Sequence, residues 1–427
     1  MKLLFKNAHL INPAQKLNKV ADILIIDGII KKIEHDIMSE PDVKEYDLAG
    51  KIVAPGFVDM HVHLREPGYE HKETIETGLH SAAEGGFTAV CCMPNTNPPI
   101  DDASVVKSIL QKAKDVLGGI IDVYPVAAAT KGREGKELSP MLELSEAGAM
   151  AFSDDGSTIY NTEILRRALE YSSMLNRIII QHPEDLELSR NGVINEGFIS
   201  TILGLPGIPS IAEETIIERD IRILEYVDGF YHAAHISTRN SVEIIRNAKR
   251  KGLNVTCEVT PHHFTLSEEA VKGFDTNAKM KPPLRTQSDI EALIEGLSDG
   301  TIDVIATDHA PHSFDEKEVE FLAAPFGIVG LETAIGLALT YLVHKKHLTI
   351  EQLIEKFSIN PRKILSLPEI KIEVGEKANL TIIDMNKKWT VDIQKFKSKS
   401  KNSPFHNFEL VGKSIGIVNN GNVYFNE

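Results

Sequence analysis

Residues 52–63 read IVAPGFVDMHVH, an apolar run that ends in the pair His61 and His63. A short apolar run of this kind, bounded by turn residues, is typical of a strand buried on both faces. Seven similar runs follow along the chain: GFTAVCCM from residue 86, IIDVYPVAAA from 120, GAMAFS from 148, RIIIQH from 177, GFYHAAHI from 229, LNVTCEVT from 253 and IDVIATDH from 302. The sequence therefore predicts eight buried strands.

Segments with helical periodicity separate these runs, among them ASVVKSILQKAKDVL at 103–117, TEILRRALEYSSML at 162–175 and TRNSVEIIRNAKRKG at 238–252, while LETAIGLALTYLVHK follows the eighth. This alternation is typical of the α/β class, in which crossover helices join parallel strands. Eight such units close naturally into a barrel of about 250 residues. We therefore predict a (β/α)8 TIM-like barrel over residues 53–368, with an open doubly wound sheet as the alternative.

The two ends of the chain differ from this middle. Residues 1–52 contain strand-like runs with Asp-Gly and Ala-Gly turn signals, and residues 369–427 contain ANLTIIDM from 378 and SIGIVNNGNVYFNE from 414, the latter with an Asn-Gly hairpin signal. Neither end has enough apolar surface to fold alone. We predict that both ends form one small β-sandwich domain beside the barrel.

Composition excludes several classes of function. The chain has 46 Lys and Arg against 61 Asp and Glu, a formal net charge of −15 that argues against a nucleic-acid partner. No run reaches the roughly 18 apolar residues of a membrane span, and the start MKLLFKNAHLINP lacks the apolar core of a secretory signal, so we expect a cytoplasmic protein without a membrane partner. Only three cysteines occur. Any metal is then held by histidine and carboxylate.

Polar residues of metal-binding type cluster at the carboxyl ends of the predicted strands. In a barrel of this kind the active site lies at those ends. They carry Asp59, His61 and His63 after the first run, Asp154 and Asp155 after the fourth, His182 after the fifth, His235 after the sixth, and Asp308, His309 and His312 after the eighth. Singly, each of these histidines is more typical of an ordinary hydrogen-bonded residue. Together they predict a metal centre, because the barrel brings them to one rim.

The predicted ligands of this centre are His61, His63, Asp154, His182, His235 and Asp308. Four imidazoles and two carboxylates without a thiolate suit one or two Zn²⁺ ions, with two favoured and Mn²⁺ or Fe²⁺ as alternatives. Two ions about 3.5–4 Å apart can share a bridging hydroxide that attacks an amide. Asp154 can bridge them, and Asp308 can move the proton from nucleophile to leaving nitrogen, unless it serves only as a ligand.

Six motifs carry a resemblance to a known family: HVHLREPG at 61–68, MPNT at 93–96, AFSDDG at 151–156, TPHHFTL at 260–266, ATDHAPH at 306–312 and PFGIVGLET at 325–333. They resemble the bacterial class I dihydroorotases of the amidohydrolase superfamily, over nearly the whole chain. The resemblance implies reversible closure of N-carbamoyl-L-aspartate to L-dihydroorotate plus water, a step of pyrimidine biosynthesis. It also implies that His61, His63, Asp154 and Asp308 hold one zinc, and that Asp154, His182 and His235 hold the other.

The same resemblance implies the substrate contacts. Arg65 and Asn95 would bind the substrate carboxylate, because the guanidinium of an arginine matches a carboxylate in shape and charge. His63, His312 and the backbone at Phe326 and Gly327 would contact the substrate as well. The polar stretch SFDEKEVEFLAAP at 313–325 is long enough for a lid, with a plain surface loop as the alternative. We interpret the basic run KFKSKSKN at 395–402 as a solvated loop, and FKSKSKNSPF at 396–405 resembles the C-terminal β segments of such proteins.

One motif departs from the family. The chain reads KMKPPLR at 279–285, with Lys281 where many relatives carry an asparagine that meets the substrate. Lysine only donates hydrogen bonds, so it can meet a carbonyl or carboxylate but cannot accept from a ring N–H. Our hypothesis is that Lys281 still faces the substrate and attracts its negative charge. The alternative is that it points to solvent.

Two other functions stay open. One is another cyclic amidohydrolase, such as a dihydropyrimidinase, hydantoinase or allantoinase. The other is a non-catalytic dihydroorotase-like scaffold for aspartate transcarbamoylase. The expected partner is a small-molecule substrate, N-carbamoyl-L-aspartate or L-dihydroorotate. A homodimer and an association with aspartate transcarbamoylase are further expectations from the resemblance.

Overall fold

A computed structural model describes residues 2–426 of the chain. The strands, numbered along the chain, are β1 Lys2–Asn12, β2 Leu17–Ile26, β3 Ile29–Glu34, β4 Lys44–Asp47, β5 Ile52–Pro55, β6 Phe57–Val62, β7 Phe87–Cys92, β8 Asp122–Ala128, β9 Ala151–Ser153, β10 Ile178–Gln181, β11 Ile194–Asn195, β12 Gly207–Ile208, β13 Tyr231–Ala233, β14 Val255–Val259, β15 Val304–Ile305, β16 Leu380–Thr390, β17 Glu409–Asn419 and β18 Asn422–Phe425. The α-helices are α1 Ile75–Gly85, α2 Ala103–Asp115, α3 Met141–Ala147, α4 Thr162–Met174, α5 Phe198–Leu203, α6 Ile211–Val227, α7 Arg239–Arg250, α8 Gln287–Asp299, α9 Phe314–Lys317, α10 Ala334–Ala338, α11 Ile350–Ile354 and α12 Asn360–Ile364. Two π-helical segments, Leu339–Val343 and Glu355–Ile359, extend α10 and α11.

Eight parallel strands form a nearly closed barrel in the order β6-β7-β8-β9-β10-β13-β14-β15. Each of the eight predicted runs contains one of these strands, so the barrel prediction is confirmed. A doubly wound sheet would reverse its strand order partway, and the order here follows the sequence without reversal. That alternative is therefore wrong.

The first and last barrel strands meet at the mouth of the barrel. The His63 amide donates to the carbonyl of His309 at 2.8 Å, and Val62 pairs with His309 in an isolated parallel bridge. Asp59 strengthens this closure, because one of its carboxylate oxygens accepts from the amides of both His61 and Thr307. Burial raises the pKa of Asp59 to about 7. These contacts bring the ends of β6 and β15 together although some 240 residues separate them.

The outer helices begin where the sequence supplies side chains that cap them. The residues that precede the first helical turn and accept a backbone hydrogen bond there include Thr74, Asp102, Asn161, Thr238 and Thr286. Such caps satisfy amides that the helix itself leaves without partners. The helices that these residues precede, α1, α2, α4, α7 and α8, bury their apolar faces in the core around the barrel. The barrel interior is filled by apolar side chains such as Val58, Met60, Ala89, Val126 and Ile180. Below its mouth, the barrel interior is therefore packed with side chains and holds no channel-like opening among the described residues.

Both chain ends contribute to one eight-stranded sheet, of order β18-β17-β16-β5-β1-β2-β3 with β4 beside β1. Strand β5 joins the two halves, since Val53 pairs with Leu10 of β1 on one side and with Ile382 of β16 on the other. A separate β-sandwich is not confirmed, because hydrogen bonding makes the two halves neighbours within one sheet. The boundaries 1–52, 53–368 and 369–427 stay predictions.

Residues 396–405, which we call the C-terminal strap, differ from the sequence-based interpretation. They form no strand, and they are not a solvated loop, because Ser398, Ser400, Asn402 and Ser403 are buried while Lys399 between them is exposed. The strap packs against the loops that follow β6 and β15, where Ser398 donates to the buried carboxylate of Glu73 and Asn402 donates to the carbonyl of Ala310. Within residues 2–426, no helix has the length and apolarity required to cross a membrane.

Candidate metal centre and substrate pocket

Six buried side chains meet at the carboxyl ends of the barrel strands. We call them the ligand cluster: His61 and His63 at the end of β6, Asp155 after β9, His182 after β10, His235 after β13 and Asp308 after β15. None lies more than three residues beyond its strand. The register of the barrel therefore positions the whole cluster.

One side of the cluster is built around His61. Its Nε2 lies 3.3 Å from Asp155 Oδ1 and 3.6 Å from Asp308 Oδ1, and it has no hydrogen-bond partner among the described residues. His63 Nε2 lies 2.9 Å from the same Asp308 oxygen. A buried imidazole nitrogen without a partner is costly unless a ligand completes it. The histidine pair and Asp308 thus point their donor atoms at one common position.

The other side is built around His182 and His235. His182 Nδ1 and His235 Nε2 lie 3.0 Å apart, and each lies 3.9 Å from Asp155 Oδ1. The second Asp155 oxygen lies 3.6 Å from His63 Nε2. Among residues 2–426, donor atoms within 4.8 Å of one another form two groups. One group is His61, His63 and Asp308, and the other is His61, Asp155 and His235. Asp155 therefore stands between the two sides.

The predicted bridging ligand Asp154 requires a correction of one position. Its carboxylate turns away from the histidines and accepts hydrogen bonds from the backbone amide of Thr130, at 2.9 Å, and from the Thr130 hydroxyl. Successive side chains of an extended chain point to opposite sides, so only one aspartate of the pair can face the cluster. Asp155 is that residue. The motif AFSDDG located the site but did not distinguish its two carboxylates.

Three of the four imidazoles of the cluster contact a polar side chain through the ring nitrogen that faces away from the cluster, whereas His235 Nδ1 has no hydrogen-bond partner among the described residues. Glu258 Oε1 lies 2.6 Å from His61 Nδ1, and Glu184 Oε2 lies 3.0 Å from His182 Nε2. Asn95 Oδ1 accepts from His63 Nδ1 at 2.8 Å. Such partners fix the tautomer and the ring orientation of metal-binding histidines. Sequence reasoning missed both glutamates, although a charged residue inside the buried run LNVTCEVT was a usable signal for Glu258.

The electrostatics keep the carboxylates of the cluster ionised. Burial alone would raise the pKa of Asp155 and Asp308, but the imidazoles of His61 and His63 outweigh it and hold both pKa values well below their usual range. Burial, together with the neighbouring rings of His182 and His61, lowers the pKa of His235 to about 3. Ionised carboxylates and a neutral His235 are donors of the kind that divalent transition metals prefer, whereas Asp155 and Glu258 raise the pKa of His61 well above its usual value despite its burial.

Three residues at the mouth have strained backbones. Arg65, His235 and Asp308 have φ values of +61°, +31° and +48°. Side chains other than glycine rarely adopt this left-handed region, and a residue held there costs about 1–3 kcal/mol. Strain of this kind is concentrated at sites whose side chains the fold must aim in one direction. It supports a functional role for these three side chains.

A pocket of about 380 Å³ opens in front of the cluster. Its lining includes every predicted substrate contact outside the cluster, which we call the pocket wall: Arg65, Asn95, Lys281, His312, Phe326 and Gly327. Arg65 is partly buried, and its Nε donates to the carbonyl of Pro311 at 3.1 Å. Asn95 Nδ2 lies 3.3 Å from Asp155 Oδ2, so this residue contacts the cluster as well as the pocket.

Lys281 lines the pocket but also contacts a neighbouring carboxylate. Its Nζ lies 2.8 Å from Glu184 Oε1 and 5.3 Å from the centre of the Phe326 ring. The side chain keeps 27% of its surface exposed. Since Glu184 also contacts His182, the ammonium is linked through one carboxylate to the ligand cluster.

Two buried lysines anchor residues 313–325, the predicted lid. Lys317 donates to the carbonyls of Pro325 and Thr276, and Lys279 donates to those of Phe321 and Leu322. Burial lowers the pKa of Lys317 to about 7 and that of Lys279 to about 8. These hydrogen bonds therefore attach residues 313–325 to the segment around Thr276 and Lys279. Its role as a lid stays a prediction.

The family model and the curated relatives that match this chain carry almost the same name. Residues 50–241 match a family model described as "Dihydro-orotase-like". Over 426 residues, spanning 100% of this chain and 99% of the relative, the chain is 54% identical to a protein of Acetivibrio thermocellus named "Dihydroorotase". Proteins with the same name from Ruminiclostridium cellulolyticum and Syntrophus aciditrophicus are 51% and 49% identical, over 97% and 100% of this chain and 96% and 100% of theirs.

Solved structures with a similar fold also match nearly the whole length of the chain. The L-hydantoinase (dihydropyrimidinase) from Arthrobacter aurescens is 25% identical, with a TM-score of 0.88 over 99% of this chain and 96% of its own. A dihydropyrimidinase from Brevibacillus agri, 20% identical with a TM-score of 0.83 over 100% of this chain and 95% of its own, shares the fold. The architecture is therefore that of a cyclic amidohydrolase.

Proposed function

Since the chain belongs to the dihydroorotase family, whose members are cyclic amide hydrolases, we propose that it interconverts L-dihydroorotate and N-carbamoyl-L-aspartate, with water consumed in ring opening and released in closure. The observation that carries the proposal is the convergence of six imidazole and carboxylate side chains at one barrel mouth, next to a pocket lined by a partly buried arginine. The relatives' full-length identity supports it further.

We propose that the ligand cluster holds one or two Zn²⁺ ions, with two favoured. His61, His63 and Asp308 would hold one ion, His182 and His235 the other, and Asp155 would bridge them. The fit rests on His61 Nε2, which is buried without a partner among the described residues, and on the Asp155 carboxylate, which lies within 4 Å of imidazoles on both sides of the cluster. When bound, such ions polarise a carbonyl and make water a better nucleophile at neutral pH.

Asp308 is our candidate for proton transfer. Its carboxylate is ionised, since the neighbouring imidazoles lower its pKa, so in ring opening it can accept the proton that the attacking water loses. It then donates that proton to the ring nitrogen as the amide C–N bond breaks. In ring closure the same carboxylate removes the proton from the ureido nitrogen. Its strained backbone supports this role because it fixes the direction of the side chain.

The pocket wall supports the choice of an acidic substrate. The Arg65 guanidinium, which lines the pocket, can pair with the substrate carboxylate in two parallel hydrogen bonds, and Lys281 adds a second positive charge. A chain with a net charge of −15 would otherwise repel a dianion. We propose that Asn95 and His63 assist at the carboxylate, and that His312 and the backbone of Phe326 and Gly327 contact the ring.

A substrate panel tests the proposal. Purified protein of measured zinc content is assayed with L-dihydroorotate, dihydrouracil, hydantoin and allantoin, and we expect efficient opening of dihydroorotate alone. The structural likeness to the Arthrobacter hydantoinase favours hydantoin as the second candidate substrate. Preference for hydantoin or dihydrouracil would replace the proposal with that function. A zinc-loaded protein that opens none of the four rings would favour the non-catalytic scaffold.

Assembly is a separate proposal that rests on the family resemblance. We propose a homodimer and an association with aspartate transcarbamoylase. Size-exclusion chromatography with light scattering, on the chain alone and mixed with the transcarbamoylase, tests both. A monomer that elutes separately from the transcarbamoylase would contradict them.

A further inference from the structure

The side chain of one asparagine of the C-terminal strap is hydrogen-bonded to three backbone groups of the loops that line the pocket. Asn402 Nδ2 donates to the carbonyl of Ala310 at 3.1 Å and to that of Gly327 at 3.0 Å. Its Oδ1 accepts from the amide of His312 at 3.0 Å. Its backbone carbonyl accepts from the amide of Val329 at 2.9 Å. A residue some 75 to 90 positions away in sequence thus connects the two loops that face the pocket.

These two loops approach each other closely at that point. A Cβ on Gly327, whose φ is +126°, would lie 2.7 Å from the Ala310 Cβ and 3.3 Å from His312 Nε2. His312 Nε2 donates to the carbonyl of Phe326 at 2.8 Å. The separation of the loops therefore sets where the His312 ring and the Phe326 carbonyl lie at the pocket, and Asn402 bonds to both loops.

The chemistry of the side chain suits this position. Asn402 is 5% exposed, and its amide supplies two N–H donors and one acceptor, which match two carbonyls and one backbone amide. Aspartate has the same shape but only accepts, so it would face the two carbonyls without a donor. Alanine would leave all three backbone groups without this partner in a buried place.

The strap itself is fixed to the barrel independently of Asn402. The Lys399 amide and the Ser398 hydroxyl donate to Glu73, whose carboxylate also lies 3.3 Å from His309 Nε2. The amides of Lys397 and Ser398 donate to Glu332. Because these contacts hold the strap, a change at Asn402 alters the link to the pocket wall while the strap keeps its anchors.

We propose that Asn402 is a positioning residue for substrate binding: it holds His312 and the Phe326–Gly327 backbone at the separation that the substrate ring requires. The inference rests on the proposed function, whose pocket it refines. It assigns a role in the site to a segment that lies outside the barrel strands and contributes no side chain to the pocket lining.

The test compares Asn402→Ala with Asn419→Ala, a matched control. Asn419 is also buried, at 3% exposure, and its Nδ2 also donates to backbone carbonyls, those of Ile120 and Thr88. Both variants lose a buried amide, but only Asn402 touches the pocket wall. We expect Asn402→Ala to raise the KM for L-dihydroorotate about tenfold, the equivalent of roughly 1.4 kcal/mol. We expect kcat within about threefold and an unchanged zinc content, while Asn419→Ala loses thermal stability at an unchanged KM.

Hydrogen–deuterium exchange gives a readout that does not depend on turnover. In Asn402→Ala the peptides that contain His312 and residues 326–329 should exchange faster than in the wild type, whereas in Asn419→Ala they should not. Asn402→Asp, which keeps the acceptor for the His312 amide, serves if the alanine variant does not fold, and it should raise KM as well.

Equal KM values in the Asn402 and Asn419 variants, or unchanged exchange at these peptides, would overturn the inference. Wild-type protein that does not open dihydroorotate would instead overturn the proposed function, and the exchange experiment would still decide the role of Asn402.

Discussion

The ligand cluster and the pocket wall lie side by side at one barrel mouth, but they are built differently. Cluster residues such as His61 and His182 sit at strand ends, are buried, and contact one another within 4 Å. Wall residues such as Arg65 and Lys281 come from loops, and segments distant in sequence hold several of them in place. The barrel register therefore determines the chemistry, whereas contacts between loops determine the shape of the pocket.

This difference leads to separate expectations for mutations in the two regions. A change in the cluster removes a donor atom that nothing nearby can replace, so it should reduce metal content and kcat. A change in the wall shifts a surface that several contacts define together, so it should mainly alter KM. The experiments below test that division.

The largest effect is expected from the two neighbouring aspartates. Asp155→Asn should lose at least one metal ion per chain and reduce turnover by at least about 10³-fold, since a polarising metal is worth several kcal/mol and each 1.36 kcal/mol is a factor of ten. Asp154→Asn is the matched control, because Asp154 bonds to Thr130 and not to the cluster. It should keep its metal and most of its kcat.

Metal analysis by mass spectrometry beside steady-state kinetics decides between the two positions. Full metal and near wild-type turnover in Asp155→Asn, with loss of both in Asp154→Asn, would reverse the correction. Equal losses in both variants would show that the loop as a whole, rather than one carboxylate, supports the centre.

Asp308→Asn should reduce kcat by roughly 10²–10⁴-fold, the contribution typical of a positioned acid or base. The amide oxygen can still lie near His63, so metal binding should fall less than in Asp155→Asn. Turnover and metal content are measured on the same samples. Retained activity at full metal content would refute the proton-transfer role.

The aspartate pair also shows how far sequence reasoning reaches. Strand runs such as RIIIQH predict both the strand and the residue at its end, because a buried parallel strand is almost entirely apolar until it reaches the rim. This is why His182 and His235 were found. Which of Asp154 and Asp155 faces inward depends on how the backbone continues after Ser153, the last residue of β9, and the sequence does not show that.

The remaining differences come from contacts between segments far apart in sequence. Nothing in KFKSKSKN indicates that its serines and Asn402 are buried, since their partners Glu73, Ala310 and Gly327 lie 75 or more positions away. The small sheet illustrates the same limit. Strand-like runs at both chain ends predicted a joint β unit, but only the pairing of Val53 on both sides makes it a single sheet.

Lys281→Asn tests whether the wall contributes charge to binding. The Lys281 ammonium lines the pocket, but Glu184 at 2.8 Å and partial exposure weaken its field. We expect the KM for L-dihydroorotate to rise about threefold with kcat little changed, the size of effect that a partly exposed charge pair of under about 1 kcal/mol allows.

Salt dependence makes this test sharper. Added KCl screens exposed charges, so the KM values of wild type and Lys281→Asn should approach each other as ionic strength rises. Lys281→Met, which removes the charge without adding an amide, should behave like the asparagine variant. An unchanged KM in both variants would mean that the side chain does not meet the substrate, and a loss of metal would assign Lys281 to the cluster through Glu184.

The smallest effect on catalysis is expected beneath the wall, at the buried Lys317, where a substitution changes stability instead. Burial, assisted by the nearby charge of Lys279, lowers the pKa of Lys317 from 10.5 to about 7, although three carbonyls accept hydrogen bonds from its Nζ. Between these two pH values the unfolded chain binds a proton that the folded chain does not, so Lys317 adds to the free energy of unfolding as pH rises. Lys317→Met removes this contribution.

Urea unfolding from pH 7 to 10 should therefore show that the free energy of unfolding of the wild type, relative to that of Lys317→Met, increases with pH. Lys279→Met should show the same sign over a narrower range, because the pKa of Lys279 is about 8. A difference that stays flat or shrinks would mean that Lys317 remains charged in the folded protein, with the carbonyls of Pro325 and Thr276 compensating for its burial.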